Sequence, residues 1–184
     1  MNFLEIKEDD LNNIDMNPLS EKITSDEQKK YFLEKASQEH YRLLSYISLN
    51  NNGVKILDVG TYKGCSALAF SINPTNTIYS FDVAWFLDLK DYNNFTFIND
   101  NVMLEKYKSL IISCPYILLD TLHDGKFEKS FYDYLKNINY KGCLLLDDIK
   151  LNKEMVDFWN SINDEKYDIS HIGHITGTGV IKFK

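Results

Sequence analysis

The first fifty residues fall into two parts that differ in their pattern of apolar and polar positions. Residues 1–24 are polar and rich in Asn without a clear period, which predicts a loosely ordered lead-in. Between residues 25 and 50 the apolar side chains recur three or four positions apart, which indicates one helix. Ser25 can cap its start, and the Asn-rich run before Gly53 can end it.

Beyond Gly53, short apolar runs alternate with stretches of helical period. The runs predict strands at 54–59, 77–81, 95–98, 116–119 and 142–146, then a terminal hairpin of 167–170 and 180–183. Helices are predicted at 66–71, 103–112, 127–137 and 153–162. Strands alternating with helices build right-handed crossovers on a mainly parallel sheet. We therefore predict one α/β domain over residues 25–184.

The charge balance disfavours some classes of function. The 184 residues contain 27 acidic and 20 basic side chains, for a net charge of −7, and Arg42 is the single arginine. Nucleic-acid binding needs a basic surface, so it is disfavoured. Arginine clamps on phosphates are almost excluded. We expect a small-molecule partner, with no nucleic acid bound.

The cysteines and the N-terminus bear on the compartment. Cys65, Cys114 and Cys143 have no paired spacing, which favours reduced thiols. The N-terminus is acidic where a signal peptide would be apolar, and no run approaches the roughly 18 apolar residues of a membrane span. We expect a cytoplasmic protein without a membrane partner, and a homo-oligomer is left open.

Acidic or amide side chains lie at the end of each of the five predicted parallel strands or just after it. They are Asp58, Asp82, Asp100 with Asn101, Asp120, and Asp147 with Asp148. Ligands of such sheets bind outside the carboxyl ends of the strands. Grouped acids at that edge indicate a cation or a ligand that is rich in hydroxyls and positively charged.

A glycine turn follows the first predicted strand. Gly60 and Gly64 are spaced Gly-x-x-x-Gly, unlike the dinucleotide fingerprint or a phosphate loop. Such turns let a ligand approach the backbone, although many are glycine-rich for packing alone. Asp82, at the end of the second strand, favours the interpretation of this turn as part of a ligand site. A carboxylate there can accept hydrogen bonds from both hydroxyls of a ribose.

The segment ILDVGTYKGCS (56–66) resembles the first motif of class I S-adenosylmethionine-dependent methyltransferases. LLDTLH (118–123), LLDDI (145–149) and GTGVI (177–181) are similar to the small branch of sugar O-methyltransferases and cephalosporin-hydroxylase-like proteins, with Thr121 in place of that branch's glycine. The resemblance implies a Rossmann-like seven-stranded sheet of order 3-2-1-4-5-7-6, with strand 7 antiparallel, between helices. Residues 25–184 would then be one methyltransferase domain.

The resemblance also implies a site for S-adenosylmethionine. Its methionine half would lie along the first motif, its ribose on the second strand end, and its adenine on the third. The implied cofactor-binding residues are Asp58, Gly60, Thr61, Tyr62, Lys63, Gly64, Asp82, Val83, Asp100 and Asn101.

A second group combines Asp120, His123, Asp147 and Asp148. The three carboxylates could bind one hard cation such as Mg²⁺, as in catechol-type O-methyltransferases. Alternatively, Asp148 caps the next helix and Asp147 faces solvent. His123, with Asp120, is the candidate general base. His171 and His174 could line an acceptor pocket, but we expect them at the surface.

The function predicted is methyl transfer to an oxygen of a small hydroxyl-bearing acceptor, a sugar or related metabolite, with assistance from a divalent cation. The same fold supports other chemistry, such as aminopropyl transfer or hydroxylation, or cofactor binding without catalysis. Nucleic-acid methylation is disfavoured by the acidic balance and by the absence of an Asn/Asp-Pro-Pro-Tyr/Phe motif.

Overall fold

Seven strands form one sheet in the computed structural model, which describes every residue from Met1 to Lys184. Its order is β3-β2-β1-β4-β5-β7-β6, and β7 pairs antiparallel with both β5 and β6. The predicted order and the antiparallel seventh strand are confirmed. The strands are β1 Lys55–Val59, β2 Thr77–Asp82, β3 Thr96–Asn99, β4 Tyr116–Leu119, β5 Gly142–Asp147, β6 Lys166–Asp168 and β7 Thr178–Phe183.

Eight α-helices surround this sheet. They are α1 Glu8–Asn12, α2 Asn17–Ser20, α3 Asp26–Leu33, α4 Tyr41–Leu49, α5 Cys65–Phe70, α6 Lys108–Ile112, α7 Lys126–Asn137 and α8 Lys153–Ser161, and short 3-10 turns lie at Phe3–Glu5 and Glu105–Tyr107. No helix combines the length and the apolar character that crossing a membrane requires.

The central strands are buried on both faces because successive side chains point to opposite sides of the sheet. Ile56 and Leu118 belong to the core beneath α4 and α5, whereas Leu57 and Ile117 belong to the core beneath α7 and α8. β1 to β5 run parallel, so their carboxyl ends meet at one edge. That edge holds the candidate site.

The segment 1–24, expected to be a loosely ordered lead-in, is helical and packed. Phe3, Leu11 and Met16 are buried in the core that α4 and α5 cover. Arg42 of α4 donates to the carbonyl oxygens of Ile14 at 2.7 Å and Glu34 at 2.8 Å, which ties the segment to the domain. Its helices are too short to show a helical period in the sequence.

The single helix predicted between residues 25 and 50 is two helices. Ser25 caps α3 as predicted, accepting from the backbone N–H of Gln28 at 3.3 Å. The chain then leaves the helical path at residues 34–40, where Ser37 has a φ of +71°, before α4 begins at Tyr41. This break brings Glu39 and His40 to the carboxyl edge of the sheet.

Replacing Leu11 by Ala should test the packing of the N-terminal segment. Leu11 is 0% exposed, so we expect Leu11→Ala to lower the free energy of unfolding by about 2–5 kcal/mol, as truncation of a buried Leu does. Leu4→Ala is the matched control because Leu4 is 58% exposed. Urea denaturation measures both, and equal stabilities for the two variants would contradict the packed arrangement.

Candidate functional site

The turn after β1 fits tightly between its two neighbouring strands. Gly60 has a φ of +98°, and a Cβ on it would lie 1.6 Å from the carbonyl oxygen of Asp120. The backbone N–H groups of Gly60 and Thr61 both donate to the carbonyl oxygen of Phe81, at 2.8 and 3.1 Å. Gly60 is therefore needed for backbone packing, and these two N–H groups are not free for a ligand.

Asp82 ends β2 and organises the same turn. Its Oδ2 accepts from the backbone N–H of Tyr62 at 2.9 Å, and its Oδ1 accepts from that of Ala84 at 3.0 Å. Each carboxylate oxygen can accept a second hydrogen bond. The side chain is partly exposed and borders a cavity, so both oxygens remain able to bind hydroxyl groups.

A cavity of about 520 Å³, called here the main cavity, opens at the carboxyl edge of the sheet. Its walls are largely apolar, with a few acidic and amide groups, as is usual for sites that bind organic ligands. The lining residues are Val59, Gly60, Tyr62, Phe81, Asp82, Val83, Ala84, Phe86, Asp100, Asn101, Val102, Asp120, Thr121, Leu122, His123 and Phe127.

A smaller cavity of about 40 Å³ adjoins the main cavity. The two share Gly60, Tyr62 and Asp120, and the smaller one also contacts Thr61 and Lys63. Eight of the ten residues predicted to bind the cofactor thus line one cavity or the other. The exceptions, Asp58 and Gly64, line neither.

Gly64 and Asp58 stabilise the turn without facing either cavity. Gly64, with a φ of +93°, is the N-cap of α5. Asp58 is fully buried; its Oδ2 accepts from Ser80 Oγ at 2.6 Å, and its Oδ1 has no partner. Burial raises the pKa of Asp58 to about 6. Gly64 and Asp58 would therefore affect ligand binding only indirectly.

Asp100 and Asn101 form the far wall of the main cavity. Asp100 accepts from Tyr107 Oη at 2.8 Å and pairs with Lys106 at 2.6 Å, so the hydrogen bonds of Lys106 and Tyr107 lower the pKa of this carboxyl to about 2. Asn101 Oδ1 accepts from the backbone N–H of Met103 at 3.0 Å, which leaves its amide N–H₂ group for a ligand.

Asp120 also belongs to a group of seven ionisable side chains, called here the histidine–carboxylate cluster. They come from the α3–α4 break, the ends of β4 and β5, and the loop before β7. They are Glu39, His40, Asp120, His123, Asp147, Asp148 and His174.

Each carboxylate in the cluster faces an imidazole ring. His123 Nε2 lies 3.0 Å from Asp120 Oδ1, and His123 Nδ1 lies 2.9 Å from Asp148 Oδ2. His174 Nδ1 lies 3.0 Å from Asp148 Oδ1 and 3.5 Å from Asp147 Oδ2. The acids and histidines therefore alternate in space.

This alternation shifts the titration of the histidines. Burial lowers the pKa of His123, but the carboxylates of Asp120 and Asp148 more than offset it and raise that pKa to about 10. Burial likewise lowers the pKa of His174, and Asp147 and Asp148 raise it to about 11. His123 is therefore already protonated at neutral pH, which does not suit the predicted general base.

The carboxyls shift in different directions. Burial raises the pKa of Asp147, but His40 and His174 lower it to about 2. Asp120 is different: burial and the nearby Asp147 charge raise its pKa. Asp120 Oδ2 accepts no hydrogen bond from the protein, and the side chain lines the main cavity. Asp120 is thus the group in the cluster best placed to accept a proton.

The predicted magnesium site of Asp120, Asp147 and Asp148 differs from the arrangement found. Wherever three donor atoms lie within 4.8 Å of one another, the set includes a histidine. Both oxygens of Asp148 are also engaged, since Thr176 Oγ1 donates to this carboxylate besides its two histidine contacts. Mg²⁺ prefers oxygen ligands, and each set found includes an imidazole nitrogen, so none of these sets is the predicted three-carboxylate site.

The alternatives considered for Asp147 and Asp148 are not seen either. Asp147 is 2% exposed, so it does not face solvent, and Asn152, not Asp148, caps α8. Sequence reasoning missed Glu39 and His40, and it expected His174 at the surface with His171. His171 is exposed, whereas His174 joins the cluster.

No protein-family profile matches the chain, and no curated protein sequence is significantly similar to it. Solved structures do share its fold. PaMTH1, a Podospora anserina methyltransferase bound to S-adenosylhomocysteine (SAH), is 13% identical with a TM-score of 0.55; the match covers 78% of this chain and 77% of that one.

Two further structures show the same likeness. A Staphylococcus aureus protein provisionally named a caffeoyl-CoA O-methyltransferase is 17% identical over 77% of this chain and 82% of that one, with a TM-score of 0.53. Aeropyrum pernix fibrillarin with bound S-adenosylmethionine is 17% identical over 79% and 75%, also at 0.53. The chain therefore has the Rossmann-like fold that these proteins share.

The buried carboxyl of Asp58 should make stability depend on pH. Its pKa rises from 3.8 in the unfolded chain to about 6 in the fold, so its contribution is complete below pH 3.8 and is lost as the pH rises through 6. Asp58→Asn has no such titration. We therefore expect the free energy of unfolding of the variant, relative to the wild type, to increase from pH 4 to pH 7.

Urea denaturation at intervals across that pH range measures this difference. Asp91→Asn, at an exposed side chain, is the control. A constant difference for Asp58→Asn would show that the buried carboxyl does not titrate in this range.

Proposed function

We propose that this protein is an S-adenosylmethionine-dependent methyltransferase that acts on a hydroxyl oxygen of a small acceptor. The observation that carries the proposal is the main cavity, which has Asp82 of β2 on one side and Asp120 of β4 on the other. The shared fold supports it, since PaMTH1 and fibrillarin were solved with SAH and S-adenosylmethionine.

The two cavities suit the two halves of the cofactor. Ribose hydroxyls would donate to the Asp82 carboxylate, which has a free lone pair on each oxygen. Adenine would lie between the apolar walls near Val102 and Phe127, with the Asn101 amide beside it. The methionine half would extend past Gly60 into the smaller cavity, near Thr61 and Lys63.

When bound, S-adenosylmethionine supplies a methyl group on a positively charged sulfur. An oxygen nucleophile can attack the methyl carbon and displace the sulfur. Asp120 would accept a hydrogen bond from the acceptor hydroxyl at Oδ2, orient its oxygen and then take its proton. The new bond joins the acceptor oxygen to the methyl carbon as the carbon–sulfur bond breaks. The products are a methyl ether and SAH.

His123 would act on Asp120 and not on the acceptor. Its imidazolium holds Asp120 Oδ1 at 3.0 Å and is itself fixed by Asp148 at 2.9 Å, so it fixes which carboxylate oxygen faces the cavity. The acidic edge also suits a positively charged sulfur. Assistance by a cation at Asp120, Asp147 and Asp148 stays a prediction from the sequence, and the proposed reaction does not require it.

The mouth of the main cavity suits a sugar or a related hydroxylated compound. Tyr62 and Phe86 are exposed there, with their ring centroids 5.8 Å apart, and Val83 and Leu122 are exposed beside them. Exposed aromatic and aliphatic side chains around a polar centre would contact the apolar faces of such an acceptor. We propose this acceptor class on those contacts.

A protein of the same fold could instead bind S-adenosylmethionine and carry out a different transfer or none. Methyl transfer releases SAH together with a methylated acceptor, whereas aminopropyl transfer does not yield SAH. Mass spectrometry after incubation with a panel of hydroxylated acceptors separates these cases. Tight cofactor binding with neither SAH nor any other product of the cofactor would favour a binding role.

Replacing Asp82 by Asn should weaken cofactor binding. A hydrogen bond to a charged group contributes about 1.5–3 kcal/mol, so we expect Asp82→Asn to lower the affinity for SAH by at least tenfold in calorimetry. Asp91→Asn, on the exposed loop beyond, should bind as the wild type does. Unchanged affinity in a folded Asp82→Asn protein would remove Asp82 from the site.

Replacing Asp120 by Asn should slow the reaction and leave cofactor binding intact. General-base catalysis contributes about 10²–10⁴-fold, so SAH formation should fall by at least a hundredfold while SAH affinity changes little. His171→Gln, at an exposed histidine, should keep the full rate. An Asp120→Asn protein with the wild-type rate would assign proton removal to another group.

A further inference from the structure

Glu128, in the first turn of α7, is an acidic side chain without contact to solvent. It is 0% exposed, and acidic residues are rarely buried to this extent. Its Oε1 accepts from Thr121 Oγ1 at 2.9 Å and from the backbone N–H of His123 at 2.8 Å. Its Oε2 is buried as well and makes no hydrogen bond. Because a buried polar atom without a partner destabilises a protein, stability alone does not account for this carboxyl.

The two groups that Glu128 binds belong to the wall of the main cavity. Residues 120–125, called here the β4–α7 loop, join the end of β4 to the start of α7. The first four of them, Asp120 to His123, line the main cavity, whereas Glu128 lines neither cavity. Glu128 can therefore affect a bound ligand only through this loop.

His123 has a backbone conformation that needs support from its surroundings. Its φ is +54°, in the left-handed region that residues with a side chain rarely adopt and that persists only where neighbouring groups hold it. Glu128 binds the N–H of His123, and Asn152 Nδ2 donates to its carbonyl oxygen at 2.8 Å. Side chains outside the loop thus hold the backbone of His123 on both sides.

This backbone conformation determines where the imidazole ring lies. His123 Nε2 is 3.0 Å from Asp120 Oδ1, and His123 Nδ1 is 2.9 Å from Asp148 Oδ2. A change of φ at His123 would move the ring away from both carboxylates. Asp120 would then lose the contact that determines which of its oxygens faces the main cavity.

Thr121 is consistent with the same role for Glu128. The branch of sugar O-methyltransferases that this segment resembles has a glycine at this position. The Thr121 hydroxyl donates to Glu128, which a glycine could not do. Threonine therefore ties the β4–α7 loop to α7 where a glycine would leave it without this bond.

We propose that Glu128 is a positioning residue, which holds the β4–α7 loop through Thr121 and His123 so that Asp120 Oδ2 faces the main cavity. The inference rests on the proposed methyl transfer, in which Asp120 takes the proton of the acceptor. Misplacing a reacting group by 1 Å can cost about a hundredfold in rate. Loss of Glu128 should therefore slow the chemical step and leave ligand binding intact.

A purely structural role is the alternative, because an acidic residue in the first turn of a helix stabilises that helix. The test compares full-length variants by three measurements: SAH affinity in calorimetry, kcat and KM of SAH formation, and the exchange rate of the His123 backbone N–H by NMR. Glu128→Met removes both acceptor oxygens and keeps an unbranched side chain, whereas Glu128→Gln keeps one acceptor oxygen. Glu5→Met makes the matched change at an exposed position.

We expect Glu128→Met to lower kcat by about ten- to a hundredfold, with SAH affinity and the KM of the acceptor within about twofold of the wild type. The His123 N–H should exchange about tenfold faster or more, because it loses its acceptor. Glu128→Gln should restore kcat and slow exchange, and Glu5→Met should behave as the wild type does.

A second variant covers the case in which Glu128→Met does not fold, which circular dichroism would show. Thr121→Val keeps the shape of the side chain and removes one of the two hydrogen bonds to Glu128. It should lower kcat by about threefold or more with unchanged SAH affinity.

Two results would overturn the role of Glu128. The first is a wild-type kcat in folded Glu128→Met or, where that variant does not fold, in Thr121→Val, which leaves Glu128 as a stabiliser of α7 only. The second is a fall in SAH affinity and a rise in KM alongside the loss of kcat, which indicates a loosened cavity. A wild-type protein that forms no SAH would instead overturn the methyl transfer itself, and the exchange of the His123 N–H would still show whether Glu128 holds the loop.

Discussion

Carboxylates gathered at one edge of a parallel sheet are the constraint that organises this molecule. Asp120, Asp147 and Asp148 follow adjacent strands, so the sheet itself brings them together, and burying like charges is costly unless opposite charge is near. Three histidines supply that charge. His40, His123 and His174 come from different parts of the chain, and each faces two of the acids or more.

This pairing also explains the packing of the N-terminal segment. His40 reaches the cluster only because the chain breaks between α3 and α4, and Arg42, two residues later, binds the carbonyl oxygen of Glu34 at the start of that break and that of Ile14 before α3. The helices before residue 24 then bury Phe3, Leu11 and Met16 against the sheet's covering helices. Hydrogen bonding by Arg42 and apolar burial thus hold the N-terminal segment in place.

Asp120 divides the site into two chemical environments. On one side lies the largely apolar main cavity, which suits a nucleoside-like ligand and has Asp82 and Asn101 as its polar contacts. On the other side lies the buried, highly charged cluster. A group that borders both can meet a bound ligand with one carboxylate oxygen while the other is held by His123. The proposed methyl transfer depends on this position.

The sequence alone determined the strands and their mainly parallel arrangement, and the resemblance to class I methyltransferases implied the order of the sheet. Each strand has its own apolar run, and the Gly60 turn and Asp82 are local features of the strands they follow, so pattern and motif were enough to place them. The N-terminal packing, the α3–α4 break and the roles of His40 and His174 were decided by the tertiary structure. Those features depend on contacts between residues far apart in the chain, such as His40 with Asp147, and short helices or single histidines have no periodic pattern that could show them.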